Sequence, residues 1–254
     1  MGKIIACTNQ KGGVGKTTTA VNLAASLGVL GQRALLVDLD PQSNSTSALG
    51  IDKTNDYRSV YEVLLGSATP AQAVYQTGFQ NLFILPSSLN LAGAEIELVS
   101  MERRESRLRQ ALGALRESFD FIIIDCPPSL GLLTLNGLNA ADTYLIPLQC
   151  EFFALEGLSQ LINTVRQVKT RFNPTLDLEG ILFTMYDGRL LLTHQVVSEI
   201  KKHFPKKIYK NIIPRNVKLS EAPSYGQPAY YYDKNSKGAQ AYCEFAGELL
   251  ARQN

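Results

Sequence analysis

Tryptophan is absent from the 254 residues, histidine occurs twice and methionine three times. The four cysteines, Cys7, Cys126, Cys150 and Cys243, form no C-x-x-C pair. Neither a zinc set nor a disulfide framework has the spacing it needs, and cysteines in or beside apolar runs read as reduced, buried thiols. No apolar run approaches the roughly 18 residues of a membrane-spanning helix, and no signal peptide precedes the first apolar run. Excess charge is missing as well: 25 basic residues face 23 acidic ones, a net charge of +2. Overall charge therefore gives no argument for nucleic-acid binding. A cytoplasmic protein is expected, and 45% apolar content suits one α/β domain with a large core, spanning residues 1–254.

What is there is a glycine-rich run, KGGVGKTT, at Lys11–Thr18. It follows the apolar stretch Lys3–Thr8 and opens a helical stretch, Lys16–Leu30. Gly12, Gly13 and Gly15 let backbone N–H groups approach phosphate oxygens, and the helix N-terminus adds partial positive charge. Lys16 can reach the β- and γ-phosphates, and the Thr17 hydroxyl can ligate Mg²⁺. The usual pattern, G-x-x-x-x-G-K-[ST], places glycine where this chain has Gln10, and Lys11 is an additional cation. Lys11 is either a solvated charge or a group that reaches phosphate, even in a neighbouring subunit.

Two carboxylates follow. Phe121–Asp125 is an apolar run closed by an acid, the pattern that delivers a carboxylate to a Mg²⁺ shell, directly or through water. Asp40 lies beyond the apolar run Arg33–Asp38 and before Pro41. It can orient an attacking water or simply form a turn. Further strands are expected at Leu82–Leu85, Thr143–Pro147, Leu178–Met185 and Lys207–Ile213, with helices at Leu91–Ser118, Ala154–Arg171, Thr193–His203 and Lys237–Ala251. Continuous apolar strands alternating with helices predict a doubly wound, mostly parallel sheet with helices on both faces. Asp40–Asp56 is polar and expected to be a loop beside the site.

KGGVGKTT, VDLDPQ (37–42), IIIDCPPSLG (122–131), PLQCEFFALEGL (147–158) and IIPRN (212–216) occur in this order over essentially the whole chain. Together they resemble the ParA-type partition ATPases of the ParA/MinD group, in the short, Soj-type chromosomal form. The resemblance implies ATP and Mg²⁺ as cofactors and a P-loop fold without a separate N-terminal DNA-reading domain. It implies that Gly12, Gly13, Val14, Gly15, Lys16, Thr17 and Thr18 cradle the phosphates, that Thr17 and Asp125 serve Mg²⁺, and that Asp40 positions water. Lys11 would contact phosphate across an ATP-dependent homodimer, Gly12 would lie in that interface, and Pro214 and Asn216 would border the adenine.

Charge is unevenly spread. Between Arg189 and Lys218 eight basic residues meet one acid, Glu199, giving +7 against −5 for the remainder. That is the footprint of sequence-independent binding to double-stranded DNA, or of a solvated lysine-rich surface. Arg189 and Lys218 are the leading candidates, followed by Lys201, Lys202, Lys206 and Lys207. The segment Tyr186-Asp187-Gly188-Arg189-Leu190-Leu191-Leu192 departs from the family run, which is more polar after the arginine. The resemblance further implies weak intrinsic ATP hydrolysis, stimulation by a ParB-like partner, association with the nucleoid, and contact with replication initiation. A MinD-like membrane ATPase is the main rival. It needs a basic amphipathic tail, and Tyr242–Asn254 carries Glu244 and Glu248 against Arg252. A ligase or electron-transfer enzyme of the same fold, or a nucleotide-dependent scaffold without turnover, are the others.

Overall fold

The runs Ala34–Asp38 and Phe121–Asp125 are buried at every position, which requires strands covered on both faces. In the computed structural model, which describes residues 1–52 and 57–253, they belong to a seven-stranded sheet. Its strands are β1 (Lys3–Cys7), β2 (Ala34–Asp38), β3 (Tyr75–Gln76), β4 (Leu82–Leu85), β5 (Phe121–Asp125), β6 (Thr143–Gln149) and β7 (Asp177–Thr184). The order is β3-β4-β2-β5-β1-β6-β7, and every pairing is parallel except β3 with β4. The helices are α1 (Lys16–Val29), α2 (Asn44–Ala48), α3 (Val60–Leu65), α4 (Pro70–Ala73), α5 (Leu91–Leu98), α6 (Arg107–Gly113), α7 (Leu132–Ala140), α8 (Ala154–Arg171), α9 (Leu191–His203), α10 (Val217–Glu221), α11 (Ala229–Tyr232) and α12 (Lys237–Ala251).

Alternation along the strands divides the core in two. Ile4, Ala6, Leu35, Val37, Ile122 and Ile124 pack on one face with α3 and α5–α9, whereas Ile5, Cys7, Leu36 and Ile123 pack on the other with α1 and α10–α12. The doubly wound expectation is met. The tail is a packed helix: α12 buries Tyr242, Phe245, Ala246 and Leu249, and the Tyr242 and Thr19 hydroxyls meet at 3.0 Å between α12 and α1.

Three expected elements differ. Leu91–Ser118 is broken into α5, a 3₁₀ turn at Arg104–Ser106 and α6, with Arg103 in the left-handed region (φ 52°) between them. The Asp40–Asp56 loop contains α2, anchored by Asp38, which accepts from the Thr46 N–H (2.8 Å) and hydroxyl (2.7 Å); residues 53–56 lie outside the described residues. Lys207–Ile213 forms only isolated bridges beside β7. Between them the Glu248 carboxylate accepts the N–H groups of Lys210 and Asn211, each at 3.0 Å, which takes those donors out of any ladder.

The carboxyl end of α7 is closed by Asn173, which is buried. Its Nδ2 lies 3.1, 3.2 and 2.7 Å from the carbonyls of Leu138, Asn139 and Ala141, the groups a helix end leaves orphaned. Asn173→Ala is expected to lower unfolding free energy by about 1–3 kcal/mol in urea titrations, with ATP affinity unchanged because this contact lies away from the phosphate loop.

Candidate active site

The loop from Thr8 to Gly15 leaves the carboxyl end of β1 at the point where sheet order switches between β5 and β6. Ligands bind at such switch points. Gly13 (φ 75°) and Gly15 (φ 85°) hold left-handed backbone, which glycine alone adopts without strain. Gly15 caps α1 without a side chain, so the first-turn N–H groups of α1 face a ligand position. Two neighbouring strands hold the loop. Asn9 Nδ2 donates to the Pro147 carbonyl (2.8 Å) on β6, and the Thr184 hydroxyl donates to the Val14 carbonyl (2.7 Å) from β7.

Gly12, Gly13, Gly15, Lys16, Thr17, Thr18, Asp40, Pro214 and Asn216 all line one cavity of about 720 Å³. Val14, Asp125 and Lys11 do not line it. Val14 is buried and serves through its carbonyl. Lys16 is buried, its ammonium donates to the Lys11 carbonyl at 2.9 Å, and burial lowers its pKa. The loop thus holds Lys16 in place with its own backbone. Asn216 caps α10 by accepting from the Lys218 N–H at 3.1 Å, and Tyr242 from α12 joins the cavity wall.

Behind the loop stand two fully buried carboxylates, Asp38 and Asp125, paired in register on β2 and β5. Burial raises both pKa values, and the two acids raise Asp125 further by mutual repulsion. Asp125 Oδ2 accepts from the Ser45 hydroxyl at 2.8 Å, and the Thr17 hydroxyl is near enough to offset part of the rise in its pKa. Its Oδ1 is buried with no protein partner. An orphaned carboxylate oxygen beside a loop hydroxyl suits a hard divalent cation, so Thr17 and Asp125 fit Mg²⁺, which would neutralise phosphate charge when bound. Asp40 makes a turn, accepting from the Gln42 N–H at 2.9 Å, while its side chain also lines the cavity. The turn reading of Asp40 is met, and the same residue faces the cavity. Cys126 is buried and packs against Gly137, and burial pushes its thiol up, so it stays protonated.

Lys11 turns away from the cavity and forms an ion pair with Glu151 at the end of β6. Gly12 and Gly13 are exposed, and a Cβ built on Gly12 meets no atom within 4 Å. Of the basic residues, Lys201, Lys206 and Lys207 line a second cavity of about 970 Å³ beside β7, whereas Arg189, Lys202 and Lys218 lie outside it. Arg189 pairs with Asp187, Lys202 with Glu199, Lys207 with Asp177 and Lys218 with Glu221. Sequence reasoning missed Asn9, Ser45, Glu151 and Thr184. Thr184 stands 170 residues from Val14, and no local pattern marks such a contact.

The fold and this site define a P-loop ATPase. The family described as an AAA domain (AAA_31) matches residues 2–178. The sporulation initiation inhibitor protein Soj of Bacillus subtilis is 56% identical over 251 residues, covering 99% of each chain. The chromosome partitioning protein ParA of Myxococcus xanthus is 53% identical, covering 99% of this chain and 89% of its own. Among solved structures, a cobyrinic acid a,c-diamide synthase from Mycobacterium smegmatis with bound ATP analogue and magnesium is 42% identical, with a TM-score of 0.87 and coverage of 100% and 96%. The chain belongs to the Soj/ParA branch of the ParA/MinD family of P-loop ATPases. The Mycobacterium smegmatis neighbour is crystallised with ADP and magnesium as well as with the ATP analogue.

Because Asp125 is disfavoured as an anion in the folded chain, its native pKa exceeds its unfolded one. Its stabilising contribution is complete below the unfolded value and is lost as pH rises through the folded value. Asp125→Asn is therefore expected to raise the thermal midpoint of the nucleotide-free chain at pH 8 by about 2–4 °C. Calorimetry should show this gain shrinking towards pH 5, and the variant should gain nothing from Mg²⁺ added with ATP.

Proposed function

We propose that this chain is an ATP-driven DNA-partition protein whose ATP-bound dimer holds double-stranded DNA without reading its sequence. The observation that carries this reading is the position of Lys11. A lysine serving its own nucleotide is already present in Lys16, which lines the cavity; Lys11 faces outward at the rim, held by Glu151. Its ammonium is available to a phosphate presented by a second copy. In that dimer Gly12 lies against the partner, where a side chain blocks closure. Asp40 orients the attacking water, Pro214 and Asn216 border the adenine, and hydrolysis removes the cross-subunit contact. With one water to place and no second base, intrinsic turnover is slow. A ParB-like partner supplies a basic group in trans to accelerate it.

Closing the dimer doubles the basic residues on one side, and neutralising more phosphates raises affinity steeply. The candidates are Arg189, Lys201, Lys202, Lys206, Lys207 and Lys218. The name of the Myxococcus relative supports the reading, as does the +7 segment. In this reading the protein works on the nucleoid in the cytoplasm, moving chromosome origins or plasmids, with replication initiation as a further contact.

The rivals fit less well. A membrane ATPase needs a free amphipathic tail, and α12 buries its apolar face in the core. No described helix is long and apolar enough to cross a membrane. A ligase needs a second-substrate pocket beside the γ-phosphate; the 970 Å³ cavity shares no lining residue with the nucleotide cavity, and another, which adjoins it through Thr17, Thr18, Asn44 and Pro223, is only about 220 Å³.

Binding to a random-sequence duplex tests the proposal. Retention with ATP–Mg²⁺ alone is expected, with stronger retention by Asp40→Ala and loss at raised salt. Equal binding with ADP, or none in any state despite intact ATP turnover, would falsify it. Gly12→Val should bind ATP, since the single chain has room for the side chain, yet stay monomeric in light scattering. A dimer would refute the placement of Gly12.

A further inference from the structure

The end of the β7–α9 turn and the start of α9 expose three consecutive leucines, the N-cap Leu190 at 53%, and Leu191 at 72% and Leu192 at 37% in the first turn of the helix. The apolar face of α9 does not use them: it buries Thr193, Val196 and Ile200. Nor does the turn leave them free to fold inward. Asp187 accepts from the Arg189 N–H at 3.1 Å and from its guanidinium at 2.8 and 2.6 Å. The His194 ring lies 2.7 Å from the Gly188 carbonyl, and the Thr193 N–H donates to the Leu190 carbonyl at 3.1 Å. The leucines are presented on a fixed turn.

The surroundings are cationic. The Arg189 side chain is 89% exposed, and Arg215 is near enough to Asp187 to help hold its carboxyl well below the usual range. This is the tip of the +7 segment. Phosphates have no use for a leucine, but base steps do: apolar side chains beside arginine wedge between bases in the minor groove.

We infer that Leu190 and Leu191 form an apolar wedge that enters the minor groove and partly unstacks a base step when DNA lies on the basic segment. The inference rests on the DNA-binding reading above and adds to it a contact that is not electrostatic. Duplex DNA is favoured over an anionic bilayer because an interfacial helix needs a broad free apolar face, and that of α9 is spent on the core. The turn also begins at the nucleotide cavity. Met185 lines that cavity, and the Tyr186 N–H donates to the Ile213 carbonyl at 3.0 Å beside Pro214. The wedge is thereby placed to follow the nucleotide.

The test compares the full chain with Leu190→Ser/Leu191→Ser and with Lys206→Ala/Lys207→Ala, each with ATP–Mg²⁺. The probe is a random duplex carrying 2-aminopurine and end labels for energy transfer, titrated with salt. The serine variant is expected to lose about tenfold or more in affinity with an unchanged salt slope. It should also lose the fluorescence rise and the bend, while keeping ATP turnover as evidence of folding. The lysine variant should instead flatten the slope by about 0.9 for each phosphate it no longer neutralises. Leu190→Met/Leu191→Met, which keeps the apolar bulk, should retain all three signals. Identical DNA binding, bending and fluorescence in the parent and the serine variant overturns the wedge alone. So does a serine variant that loses only its hold on phosphatidylglycerol vesicles. A parent chain that binds no DNA overturns the partition reading, and the wedge with it.

Discussion

Two carboxylates that cannot reach water set the terms for the whole carboxyl edge of the sheet. Asp38 and Asp125 sit in register on adjacent buried strands, and a low-dielectric interior disfavours charging both. The chain answers each differently. Asp38 is saturated by Thr46 and the Asp40 N–H, so it becomes the anchor of α2 and fixes the polypeptide that carries Asp40 and Ser45. Asp125 is left with one oxygen unpartnered and Lys16 near enough to matter electrostatically. One acid builds the site, and the other keeps a buried oxygen that a divalent cation would fit.

The phosphate loop is as much a product of the far strands as of its own glycines. Glycine permits the backbone at Gly13 and Gly15 but does not select it. Selection comes from Asn9 on the Pro147 carbonyl and Thr184 on the Val14 carbonyl, which tie the loop to β6 and β7. The same end of β7 continues into Met185, a left-handed residue at the cavity wall (φ 47°). Loop, nucleotide wall and basic segment therefore share a single strand end.

Legibility in the sequence follows the range of the forces involved. β1 beyond Lys3, β2 and β5 are readable because burial on both faces keeps their residues apolar until the strand exits. β3 is not, since Tyr75–Gln76 is two residues long and half exposed, with nothing periodic to see. The apolar run at Lys207–Ile213 looks like a strand, but the distant Glu248 carboxylate claims its mid-run donors. Likewise the glycines, Lys16, Thr17 and Asp125 announce themselves by spacing. Glu151, Ser45 and Thr184 act through contacts formed only once the sheet order exists, so no window of sequence contains them.

The unequal charge distribution now has a mechanical meaning within the proposed function. Residues 207–216 run as one strap, bridged to β7 at Ile208 and to Tyr186, just past β7, at Pro214, and clamped by Glu248 at Lys210 and Asn211. Its first half carries lysines and its second half walls the nucleotide cavity through Ile213, Pro214 and Asn216. The bridges and the Glu248 clamp tie its two halves together. In the proposed function, a nucleotide bordered by Pro214 and Asn216 would bear on the same ten residues that carry Lys207 and Lys210. Coupling of this kind needs no long pathway through the core: the cation-bearing and nucleotide-bearing groups are the two ends of ten residues. Within the proposed function, a chain of balanced overall charge then makes its grip on DNA depend on ATP through the number of cations that dimer closure gathers on one side and through their placement.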